Sequence, residues 1–170
     1  MKNLTGISIA LAAALTICCG ATLARADTAD EAEIKALEAR VVKAIEAKDA
    51  AAIMANYVTG DSLLVFDVVP PRQYVGSEAY KKDWKEFLAT CQGPLKVELT
   101  DLSVTTDVKL GYGHNIMRLT CSTANGTVQD LTVRISDGYE KRDGKWLIAH
   151  EHVSVPADLA TGKADLSSKP

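Results

Sequence analysis

Apolar residues recur at steps of three and four from Ile34 through Leu37, Val41 and Ile45, the spacing that aligns one face of an α-helix. Thr28-Ala29-Asp30-Glu31 just before them has the form of a capping box, in which a hydroxyl and a carboxylate each satisfy an unpaired backbone amide. A helix is therefore expected over Ala29 to Ala47. Asp49 can cap a second, short helix carrying Ile53, Met54 and Tyr57, which Gly60 can close. Ser62 to Asp67 is rich in β-favouring residues and ends at Pro70-Pro71, and a brief strand is expected at Gln73 to Val75. Gly76-Ser77 then opens a third helix with Tyr80, Trp84, Phe87 and Leu88 on one face and Lys81, Lys82, Lys85 and Glu86 mostly on the other, stopped by Gly93-Pro94.

From Leu95 the period changes to two. Leu95, Val97 and Leu99 alternate with Lys96, Glu98 and Thr100, while Leu102 and Val104 fall out of phase, which marks a β-bulge near Thr100-Asp101. Further strands are expected at Leu110 to Ser122, at Thr127 to Lys141 after an Asn125-Gly126 turn, and at Trp146 to Val155 after the Asp143-Gly144 hairpin signal. In the last of these, Trp146, Ile148, His150, His152 and Ser154 share one face, and Leu147, Ala149, Glu151, Val153 and Val155 the other. Helices followed by long antiparallel strands describe an α+β fold: about three N-terminal helices on a curved sheet. The sheet's uncovered face is free to meet a second copy of the chain, so a homodimer through the sheet is expected.

The first 26 residues stand apart from this pattern. An early Lys2, an apolar run from Ile7 to Cys19 and the triplet Ala24-Arg25-Ala26 make the three parts of a cleavable export signal. The run is shorter than the roughly 20 residues a bilayer-spanning helix needs. The expected organisation is a signal peptide at 1–26, one domain at 27–158 and a loose polar tail at 159–170, with a periplasmic or secreted location and no membrane attachment after cleavage. The whole chain has 170 residues and a charge of -3. Removal of the leader takes two basic and no acidic residues, leaving 144 residues at -5. That length suits one hydrophobic core. The acidity excludes the clustered basic excess of a nucleic-acid binder. Cys91 and Cys121 remain after cleavage, either as one disulfide or as two buried thiols.

The order of elements and several strings resemble the SnoaL-like branch of the NTF2-like superfamily, which also holds ketosteroid isomerase relatives and the kinase II association domain. The strings are Phe66-Asp67 before Pro70-Pro71, Tyr74-Val75-Gly76 opening a helix with Trp84, and Asp143-Gly144-Lys145-Trp146 leading into His150-Glu151-His152-Val153-Ser154-Val155-Pro156. The resemblance implies a cone with a pocket between helices and sheet, often in dimers. The branch spans isomerases, cyclases, dehydratases and members without demonstrated chemistry, so small-molecule binding, isomerase or lyase catalysis, and a dimeric interaction module with a vestigial pocket all stay open.

Asp67 is similar in position to the general base of the isomerase relatives, where burial raises a carboxyl's pKa towards neutrality. Those enzymes also use a Tyr and a protonated Asp as an oxyanion hole, and the first helix here has no Tyr. His152 is a second candidate general base for an isomerase or lyase. Its neighbours depend on the hairpin: a two-residue turn sets Ile135 opposite His152, and a three-residue loop sets Arg134 there. Glycine's fit to a left-handed bulge position favours the three-residue loop. On that reading Arg134 points inward and meets a weakly acidic ligand or Asp67, with Tyr57, Tyr74, Trp84, His150 and Ser154 as further contacts to a small, apolar or weakly acidic organic molecule. His150 and His152 share a face and could join His114 around zinc, but no carboxylate stands at ligand spacing, so neither metal nor cofactor is expected.

Overall fold

The structure, a computed structural model, describes residues 20–168. Three helices, α1 (Gly20–Glu46), α2 (Ala50–Met54) and α3 (Ser77–Thr90), pack against one sheet. Its strands are β1 (Leu64–Phe66), β2 (Tyr74–Val75), β3 (Cys91–Thr106), β4 (Leu110–Thr123), β5 (Val128–Arg142) and β6 (Lys145–Ser154), in spatial order β2-β1-β6-β5-β4-β3. All neighbours are antiparallel except β1 and β6. This is the expected α+β cone.

The apolar stripe of α1 lies on the concave face, where Ile34, Leu37 and Ile45 are fully buried. The helix does not start at the capping box. It runs back to Gly20, because Leu23 to Ala26 are strong helix formers and neither glycine nor proline interrupts Ala21 to Ala29. The proposed leader at 1–26 lies largely outside the described residues. Asp49 caps α2 by accepting from the amides of Ala51 and Ala52. The third helix ends at Thr90, earlier than Gly93-Pro94, and those residues instead occupy a register shift inside β3 between Gln92 and Lys96. Cys91 and Cys121 are bonded, joining the start of β3 to the end of β4 with 5.5 Å between Cα atoms. Trp146 Nε1 donates to Asp30 at 3.0 Å, tying the β5–β6 hairpin to α1.

Two further register shifts decide which side chains face inward. The register of β3 slips between Thr100 and Ser103, with Asp101 at φ 55°, as the loss of alternation predicts. A second slip lies in β6: Tyr139 pairs with Ile148 but Gly138 with His150, so Ala149 is the extra residue. Trp146 and Ile148 therefore share the inner face with Glu151 and Val153, and not with His150, His152 and Ser154. The turn also differs from expectation. Asp143 and Gly144 both have positive φ, 50° and 78°, and form a two-residue turn with Arg142 opposite Lys145. Past the bulge Arg134 faces Ser154 and Ser136 faces His152.

Ala157–Asp158 and Lys163–Ala164 form a small hairpin, β7 and β8, and the Thr132 amide donates to the Leu166 carbonyl at 2.8 Å beyond the end of β6.

Candidate functional site

Between α1, α3 and the inner face of the sheet lies a cavity of about 310 Å³. Val41 and Ile45 of α1, Trp84 and Phe87 of α3, and Met117, Leu119, Val133, Ile135 and Val153 of the sheet give it apolar walls. Three carboxyl groups interrupt those walls: Glu38 from α1, Asp137 from β5 and Glu151 from β6, each at most 5% exposed. Asp67, Asp83 and Glu86 also line it, from the loop after β1 and from α3.

Phenols hold the carboxyls. Tyr57 donates to Glu151 Oε2 at 2.6 Å, and Tyr80 donates to its other oxygen. Tyr139 donates to Glu38 at 2.8 Å, and its oxygen lies 3.5 Å from Asp137 Oδ2. Tyr139 reaches α1 because it crosses β4 at Gly113, where a Cβ would stand 3.0 Å from the phenol oxygen. Asp137 Oδ1 has no hydrogen-bond partner, nor do both amide atoms of the neighbouring, buried Asn115 and the indole nitrogen of Trp84.

No positive charge among the described lining residues balances this group. Burial raises Glu38 and Glu151 from 4.5 to about 7, against the opposing pull of the tyrosine hydrogen bonds. Asp137 is pushed well above the usual carboxylate range, first by burial and then by the charges of Glu151 and Glu38. The Asp67 carboxyl is raised by burial and by nearby Asp83, although the Val68 and Val69 amides donate to it. Near neutrality the site therefore holds protonated carboxyl groups that can give a proton beside carboxylates that can take one.

The residues expected from the sequence divide between the two faces of the sheet. Asp67, Tyr57 and Trp84 line the cavity. Tyr74 is buried beside it and donates to Asp83 at 2.6 Å. Arg134, His152, His150 and Ser154 lie on the opposite, convex face, because the Ala149 bulge reverses the phase of β6 and the turn has two residues. There Arg134 and His152 are exposed, the His150 ring meets the Leu64 carbonyl through Nδ1 at 2.8 Å, and Phe66 packs edge-on against both imidazoles. Among the described residues, no three His, Cys, Asp or Glu are arranged to hold a metal ion.

Glu38, Asp137, Glu151, Tyr80 and Tyr139 are the groups that composition and motif do not bring forward as a site. A signal for the acids exists: each is the charged residue within an apolar phase. Glu38 follows Ile34 by four and precedes Val41 by three, and Asp137 stands between Ile135 and Tyr139 on alternate positions.

Residues 34–158 match the family model of the SnoaL-like domain. The chain belongs to the SnoaL-like family. Among solved structures, an NTF2-like protein of unknown function from Pseudomonas putida KT2440 is 33% identical, with 84% of this chain and 98% of that one covered at a TM-score of 0.74. The SnoaL-like cone also overlays a putative scytalone dehydratase from Novosphingobium aromaticivorans at 14% identity, with coverage of 84% and 93% and a TM-score of 0.68. A ketosteroid isomerase-like protein from Erwinia carotovora atroseptica superposes at 20% identity, with coverage of 72% and 93% and a TM-score of 0.61. The last two share the fold with this SnoaL-like domain, and their names describe those proteins. No curated protein matches it.

Proposed function

We propose that this chain binds a small, largely apolar organic molecule in the cavity between helices and sheet, with Glu38, Asp137 and Glu151 meeting the guest's polar end. The observation that carries this reading is the cavity itself: apolar walls, a floor of buried carboxyls, and an unpartnered oxygen on Asp137. The walls and the acids together disfavour a carboxylate ligand, since none of the described lining residues is basic. The test is titration with the neutral fluorophore N-phenylnaphthylamine. Saturable binding of one probe per chain supports the reading; an absence of binding overturns it.

A second reading is proton-transfer catalysis of the isomerase or lyase kind. Asp67 at the cavity lining, raised by burial, serves as general base, and protonated Asp137 with Tyr139 offers hydrogen bonds to a developing oxyanion. His152 is not part of this reading, because it faces away from the cavity. Loss of turnover in Asp67→Asn with unchanged melting would support it, and full activity in that variant would exclude Asp67 as the base.

Export and dimerisation complete the proposal. The leader's composition and the Cys91–Cys121 bond suit an oxidising compartment. The convex face exposes Leu110, Tyr112 and Val128 beside Arg134 and His152, a surface suited to a second copy. Light scattering would report a dimer that Tyr112→Glu converts to monomer.

A further inference from the structure

The cavity carries six carboxyl groups and, among its described lining residues, no lysine, arginine or histidine. We propose that its guest is an organic ammonium ion on an apolar body, with the ammonium seated against Asp137 and Glu151 and the body against Ile135, Val153, Trp84 and Phe87. The inference rests on the cavity being a binding site and narrows the class of guest.

Four observations converge on it. Asp137 is 3% exposed and lines the cavity, yet its Oδ1 lacks a partner, so a guest N–H supplies the donor that the fold does not. Among the described residues, the titratable groups facing the two acids are themselves acidic or phenolic: Glu38 from α1, Tyr57 from the segment after α2, Asp67 from the loop after β1, Tyr80 from α3 and Tyr139 from β5. Asp67, Asp83 and Glu86 add negative charge to the lining, a field that draws cations in. Finally, Tyr80, Trp84 and Phe87 stack edge to face along α3 and present aromatic surface, which attracts a cation as well as an apolar body.

The charge has a consequence for binding. Burial, with no positive charge among the described lining residues to oppose it, holds these acids towards their protonated forms, and a bound ammonium opposes that, drawing one carboxyl to its ionised form and releasing its proton. Calorimetric titration of the full chain with phenethylammonium, phenethyl alcohol and phenylacetate, in buffers of different ionisation heat, separates the possibilities. The ammonium ion should bind about tenfold more tightly than the alcohol at neutral pH, with proton release, and its affinity should rise with pH through about 7. Phenylacetate should bind weakest. Asp137→Asn and Glu151→Gln should each reduce the advantage of ammonium over alcohol. Alcohol binding as tight as the ammonium, phenylacetate binding tightest, or binding of neutral N-phenylnaphthylamine alone would overturn the ammonium assignment and leave the cavity as a site. Failure of the whole series and of that neutral probe would overturn both.

Discussion

The two faces of the sheet carry charge in opposite ways. On the convex face, Arg118 makes paired contacts with Asp130 at 2.8 Å, and Arg134 and His152 stand in solvent. Charges there are balanced or hydrated, and such pairs contribute little to stability. On the concave face, Glu38, Asp137 and Glu151 are buried with phenols as their main partners and with no cation among the described cavity-lining residues. Burying acids without a counter-charge costs stability, and three of them kept in one apolar cavity support the binding site proposed there.

The largest expected difference between the faces concerns tyrosines. Tyr80→Ala removes a buried ring and one donor to Glu151, and should cost about 3–5 kcal/mol in urea unfolding. Tyr112→Ala, on the exposed face, should stay within about 0.5 kcal/mol when measured on the monomer. Equal losses would erase the distinction.

A smaller effect follows from pH. Glu38 and Glu151 titrate near 7 when folded and near 4.5 when unfolded, so folding favours their protonated forms. Their contribution is fully present below pH 4.5 and is lost as pH rises through about 7, where ionisation of the unfolded chain draws the equilibrium towards it. Melting temperature should therefore fall across that window by several degrees, of the order that a few kcal/mol produces in a domain of this size. Glu38→Gln should flatten the slope, and a melting temperature that rises through the same window would contradict the assignment. Smaller still, Arg134→Ala should shift the melting temperature by no more than about one degree.

Much of this was legible in the chain. The stripe of α1, the capping aspartate of α2 and the out-of-phase Leu102 announced their elements, and the last of these also announced a bulge. The site was less legible, for one physical reason. In β6 both phases contain apolar residues, Trp146 and Ile148 on one and Ala149 and Val153 on the other, so alternation alone does not reveal a single extra residue at Ala149. That residue exchanges Glu151 for the two histidines on the inner face. Reading each lone acid in an apolar phase as a candidate, as with Glu38 and Asp137, recovers the floor of the cavity without locating the bulge.

Adjacent residues of β6 offer the most direct test. Val153 lines the cavity and His152 faces away from it. With the neutral probe N-phenylnaphthylamine, Val153→Trp should weaken binding by about tenfold or more by filling the cavity, and His152→Trp should leave it within about twofold. Binding blocked by His152→Trp and unaffected by Val153→Trp would place the site on the convex face and contradict the account.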